Sequence, residues 1–208
     1  MPTGLIVIDG GAGTGKSTVC KIVAQRLGVP YFNAGLIYRA IALCCSRQGL
    51  DPAEVAADRL AEEVASLEIK FVELETRIFH VGIDLTDSLK ATAVSETVPK
   101  VAVRRDLRTY LTDLQRQTAT QACELWGGLV ADGRDATSVV WPDAPYRYLF
   151  LPETDGEVRD LDTFRRNQAD SRHSDFANRR EGVTTIRTSS RNLDEVAEKI
   201  LRHVHLHL

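Results

Sequence analysis

Residues 5–18 read Leu-Ile-Val-Ile-Asp-Gly-Gly-Ala-Gly-Thr-Gly-Lys-Ser-Thr, and little else in the 208-residue chain leaves the backbone so few choices. The run from Leu5 to Ile8 is apolar and rich in β-branched residues, the signature of a buried parallel strand. Gly10, Gly15, Lys16 and Ser17 then match G-x-x-x-x-G-K-[ST], the phosphate-binding P-loop. Glycines allow a tight turn whose N–H groups converge on an anion. The spacing predicts a helix over 17–27, with its positive dipole end facing the same point. Gly11, Ala12, Gly13, Thr14, Gly15, Lys16, Ser17 and Thr18 are therefore the candidate phosphate site. Lys16 would reach the β- and γ-phosphates, and the Ser17 hydroxyl would hold Mg²⁺.

The length fits one domain, or one with a small insertion, and 43% hydrophobic residues suffice for a core. A net charge of −3 argues against nucleic-acid or membrane-surface binding. No apolar stretch has the length of a membrane span. The first strand begins at Leu5, so no signal peptide is expected and the cytoplasm is the expected compartment. Cys20, Cys44, Cys45 and Cys123 show neither metal-ligand spacing nor a disulfide framework, and read as buried reduced thiols.

Along the chain, Gly28 and Pro30 end the first helix, and 31–33 is a short strand. Helices are expected at about 36–47 and 52–66, the second with Asp51 as N-cap. Residues 67–86 alternate like strands and predict an antiparallel hairpin inserted in a βα chain, with its turn at 75–77. Helices resume at about 86–89, 91–103 and 105–124. Strands are expected at 128–132, 146–151 and 184–188, a charged helix at 160–174 and a closing helix at 192–203. Strands alternating with helices predict an α/β fold, a parallel sheet flanked by helices on both faces. Ligands in such folds lie at the carboxyl ends of strands.

Two further clusters carry chemistry. Asp132-Gly133-Arg134-Asp135 follows a hydrophobic strand, where Asp132 would help hold Mg²⁺ and Arg134 would clamp a phosphate bidentately. Asp135 could accept hydrogen bonds from an acceptor substrate. Arg165, Arg166, Asp170, Arg172 and His173, with Arg179 and Arg180 behind them, form a charged run of the kind that closes over a transferred phosphoryl group. An exposed charged helix has the same composition.

The P-loop, Tyr38-Arg39, the stretch 81–87 (Val-Gly-Ile-Asp-Leu-Thr-Asp), the block 130–135 and Val140-Trp141-Pro142-Asp143 together resemble bacterial cytidylate kinases over nearly the whole chain. The resemblance implies a P-loop kinase fold with a single domain over 1–208, a monophosphate-binding insertion that includes the 67–86 hairpin, and a short lid at about 153–182. It implies transfer of the γ-phosphoryl of ATP to CMP or dCMP with Mg²⁺, by a monomer that binds small-molecule nucleotides. Arg39, Arg134 and Arg166 would contact the acceptor phosphate or the transferred group. Arg108 and Asp135 would face the acceptor base, Asp170 the sugar, with Arg172 and His173 nearby in the lid. Lys16, Arg134, Arg166, Asp135 and Asp170 are thus the candidate catalytic residues, and Ser17 and Asp132 the candidate metal ligands.

The chain departs from the family pattern at chosen points. Ala34 stands where a hydroxyl is expected, Pro99 where a serine is expected before Lys100, and His173 where a lid arginine is expected. Thr137-Ser138 replaces Gly-Thr, Arg187 replaces an aspartate of the last strand, and the segment between Leu151 and Asp170 is short. The phosphate and Mg²⁺ groups are intact, whereas groups that read the base are partly gone. Three readings stay open: a CMP/dCMP kinase; a diverged kinase acting on a modified pyrimidine nucleotide or related sugar phosphate, with a sugar hydroxyl as an alternative acceptor group and GTP as an alternative donor; and a silent nucleotide-binding module.

Overall fold

The first strand forms because three consecutive apolar side chains, Ile6, Val7 and Ile8, are buried on both of its faces, with Leu5 half-buried before them. In the computed structural model, which describes residues 4–152, 181–189 and 192–206, this is β1 (Gly4–Gly10). The charged helix expected at 160–174, the lid, and Arg165, Arg166, Asp170, Arg172, His173, Arg179 and Arg180 lie outside the described residues. The chain divides into two compact units, residues 1–33 with 119–208, and residues 34–118.

The first unit is a parallel sheet. β1 pairs with β6 (Gly128–Gly133) on one side and β7 (Tyr146–Pro152) on the other; β2 (Tyr31–Asn33) lies outside β6, and β8 (Thr184–Thr188) outside β7. Helix α1 (Lys16–Leu27) buries Val19, Cys20, Val23 and Ala24, and the last helix, Leu193–His205, buries Val196, Ala197, Ile200, Leu201 and Val204. That helical spacing gives each one apolar stripe. Both stripes join Ile6, Ile8, Tyr31, Val130, Tyr148, Phe150 and Ile186 in one core. Val7, Phe32, Leu129 and Ala131 are equally buried but alternate with that set, and so face the opposite side. There Trp141 packs edge-on against Phe32, with ring centroids 6.2 Å apart.

The second unit contains α2 (Gly35–Arg47), α3 (Ala57–Ala65), the antiparallel strands β3 (Leu67–Val72), β4 (Glu75–His80) and β5 (Ile83–Asp84), α4 (Thr92–Ala102) and the first part of α5 (Arg105–Trp126). The helix Leu193–His205 is then α6.

Two local expectations change, and one turn was not anticipated. The helix expected from 52 begins only at Ala57. Asp51 Oδ1 accepts the Ala53 N–H at 3.0 Å, and the Arg104 guanidinium donates to the Pro52 and Val55 carbonyls, each at 2.7 Å. Those groups are committed to a turn and cannot join a helical ladder. The hairpin reverses at Glu73-Leu74, not at 75–77; Val72 pairs with Glu75, and both loop residues have positive φ, 51° and 64°. Such a turn normally carries Asn-Gly, so its sequence signal is missing. Ala136–Val140 is a π-helical turn, shown by the Trp141 N–H donating to the Ala136 carbonyl at 2.8 Å.

A phosphate-binding loop as the candidate active site

The loop between β1 and α1 is held by its glycines. Gly10 has φ 151°, and a Cβ there would stand 2.6 Å from the Phe150 carbonyl oxygen. Gly15 has φ 78°, and a Cβ there would strike Leu193 of α6 at 2.4 Å. Both positions exclude larger residues. Thr14 Oγ1 donates to the Gly11 carbonyl at 2.9 Å, and Thr188 Oγ1 of β8 donates to the Thr14 carbonyl at 2.8 Å. Among the described residues no side chain caps α1, and its first turn carries no acid. Its leading N–H groups therefore suit an anion.

Lys16 Nζ reaches back and donates to the Gly11 carbonyl at 2.7 Å. Burial pushes its ammonium below the ordinary lysine range and the Arg134 charge adds to this, while Asp132 opposes both. Ser17 Oγ donates to Asp132 Oδ2 at 2.7 Å. Asp132 is buried at the end of β6, which raises its carboxyl above the usual range against the pull of Lys16, Ser17 and Tyr31. The Ser17 hydroxyl and Asp132 carboxylate are hard oxygen donors of the kind that hold Mg²⁺, so the residues present fit a metal–triphosphate.

Strand parity decides how the two acids at this edge are used. Ile8 pairs with Asp132 and Asp9 with Gly133. Asp132 shares the α1 face of the sheet with Val130, and Asp9 points to the other face. There Asp9, 2% exposed, accepts the Ala136 N–H at 2.8 Å, the Thr137 N–H at 2.9 Å and the Thr137 hydroxyl. Burial raises its carboxyl, and those three bonds pull it back. Asp9 thus fixes the start of the π-turn that follows Arg134 and Asp135. The Asp135 carbonyl accepts from the Val139 N–H at 2.8 Å, closing the same turn.

The structure therefore brings Lys16, Ser17, Asp132 and Arg134 into one electrostatic cluster. Arg39 and Arg108 belong to the second unit. Arg39 donates to the Leu89 carbonyl at 2.9 Å and to Ser95 Oγ at 2.8 Å, and Arg108 lies close enough to Tyr38 for its charge to act on the phenol. Ala34 is buried at the start of α2, and Pro99 lies inside α4 with no N–H to donate. Sequence reasoning missed Asp9, Thr188 and Tyr31, whose phenol lies close enough to pull the Asp132 carboxyl down. The signal for Tyr31 was its register: Asn33 pairs with Asp132, which puts Tyr31 on the same sheet face one step away.

A sequence model of the cytidylate kinase family matches residues 6–178. The chain belongs to that family. It is 32% identical over 213 residues to a cytidylate kinase of Cutibacterium acnes, covering 95% of this chain and 94% of that protein. It is 33% identical over 224 residues to one of Symbiobacterium thermophilum, covering 96% and 95%. A cytidylate kinase of Geobacter sulfurreducens is 39% identical over 149 residues, 70% of this chain and 61% of that protein. A member of this family is a phosphotransferase of the nucleoside monophosphate kinase type, and its reaction is an ATP-dependent phosphoryl transfer. No helix among the described residues is long and apolar enough to cross a membrane.

Proposed function

We propose that the protein transfers the γ-phosphoryl of ATP to CMP or dCMP, with Mg²⁺ held by Ser17 and Asp132. The observation that carries this is the Lys16–Ser17–Asp132 cluster at the carboxyl end of the sheet, in a chain similar to cytidylate kinases along nearly its whole length. When bound, Mg²⁺ supplies charge neutralisation across the phosphate oxygens. Lys16 and the α1 N-terminus hold the triphosphate, and Arg134 meets charge spreading over the transferred group. An acceptor phosphate oxygen attacks in line; the new P–O bond forms as the bond to the β-phosphate oxygen breaks. The attacking oxygen is already ionised, so no general base is needed, and positioning does the work.

Within this reading Arg39, Arg108 and Asp135 bind the acceptor, together with Arg166, Asp170, Arg172 and His173. The protein acts as a cytoplasmic monomer on soluble nucleotides. Ala34 and Pro99 are then tolerated substitutions, and other groups make up the selection of cytosine. A coupled assay with Mg²⁺, crossing ATP and GTP with CMP, dCMP, UMP and AMP and reading product masses, tests it. The expected result is fastest turnover with ATP and CMP or dCMP. Weak turnover of all four acceptors beside firm ATP binding would overturn the acceptor and favour a modified pyrimidine nucleotide.

A further inference from the structure

Four cysteines scattered along the chain suggest no metal, yet the fold gives one of them company. Cys44 of α2, Glu63 of α3 and His80 of β4, all in the second unit, bring a thiol sulfur, a carboxylate oxygen and a ring nitrogen within 4.8 Å of one another. We infer that Cys44, Glu63 and His80 form a binding site for a zinc-class divalent metal ion.

Glu63 is the unusual member. Its side chain is only 5% exposed, and a buried carboxylate is costly unless fully paired. Its partners gather on one oxygen: Gln48 Nε2 donates to Oε1 at 2.8 Å, and the Arg59 guanidinium lies 3.1 Å from it. Oε2 is buried without an aligned hydrogen-bond donor, although His80 Nε2 stands 3.0 Å away. A metal ion there takes a lone pair from each atom. Thiolate, imidazole and carboxylate together are the donor set of tetrahedral zinc, with water in the fourth position. Ligand atoms of such a site stand about 3.3–3.6 Å apart, so the cluster closes by side-chain adjustment alone. Gln48 and Arg59 then do what outer partners of a metal ligand do, fixing the carboxylate through its other oxygen. The bound ion ties α2, α3 and the hairpin together, and requires nothing of the phosphate-binding loop.

The test is a titration of the reduced, metal-stripped full chain with Co²⁺, followed by displacement with Zn²⁺. The expected result is a sulfur-to-cobalt charge-transfer band that saturates at a single equivalent and vanishes on adding zinc. The histidines near the C-terminus hold no sulfur and cannot produce it. Cys44→Ser abolishes the band, His80→Gln and Glu63→Gln weaken binding at least tenfold, and Gln48→Ala weakens it about tenfold. Cys45→Ser, one residue along the same helix, keeps it. Absence of the band from the wild-type chain at millimolar Co²⁺ overturns the inference, whatever the variants do. So does a band that survives Cys44→Ser.

Discussion

At the phosphate site, function turns on a few atoms whose roles differ although their chemistry is alike. Lys16→Ala removes the buried cation of the glycine-rich loop, the group proposed to hold the triphosphate, and kcat should fall by about 10³-fold or more, with circular dichroism unchanged. The two acids separate more informatively. Asp132→Asn keeps an acceptor for the Ser17 hydroxyl but loses the charge, so the chain stays folded while kcat drops by about 10²-fold and the Mg²⁺ requirement rises. Asp9→Asn puts an amide N–H against a cluster that donates three times. It should cost about 2–3 kcal/mol of stability, read as a lower denaturant midpoint. If both variants proved equally stable, the division of labour set by strand parity would be wrong. Lys16, Ser17 and Asp132 were legible in the sequence because a motif fixes their spacing. Asp9, Tyr31 and Thr188 were not, because their partners lie 127, 101 and 174 positions away and only sheet register joins them.

Elements were readable where apolar periodicity runs uninterrupted, as in β1, α1 and α6, and were misread where side chains capture backbone groups. Arg104 is the clearest case. Its guanidinium bonds the Pro52 and Val55 carbonyls and grips Asp106 through Nε and a second nitrogen at 2.9 and 2.6 Å. Arg104→Met should cost about 2–3 kcal/mol, because two carbonyls lose a charged donor. Most of that cost is insensitive to pH. Arg104 holds the Asp106 carboxyl down at about 2. A depressed carboxylate contributes stability above its unfolded value of about 3.9, and that contribution is lost as pH falls towards 2. Asp106 is 41% exposed and water screens the pair, so the penalty of the variant should shrink by less than about 1 kcal/mol between pH 7 and pH 2.5. The hairpin gives the opposite experiment. Glu73 and Leu74 occupy left-handed backbone at about 1–2 kcal/mol each, and the double change Glu73→Asn, Leu74→Gly should raise the urea midpoint by relieving it. An unchanged or lower midpoint would mean the loop does not hold those dihedrals.

For the molecule as a whole, the α/β class followed from the order of strands and helices, but the partition of residues between two units did not. No linker marks it, and α5 runs through the boundary at Thr118–Ala119 as one helix of 22 residues. The division has a kinetic consequence. The phosphate loop, Asp132 and Arg134 all belong to the first unit, and Arg39 and Arg108 to the second. Donor binding should therefore respond to the first set alone. Arg39→Met removes a cation whose partners include the Leu89 carbonyl and the Ser95 hydroxyl. It should raise KM for the acceptor by at least tenfold while the Kd of a fluorescent ATP analogue stays within about twofold of wild type. Lys16→Ala should weaken the analogue instead. The two measurements separate donor from acceptor without any assumption about which pyrimidine nucleotide is used. Equal loss of donor affinity in both variants would show that Arg39 supports the triphosphate, and the acceptor role assigned to it would fall.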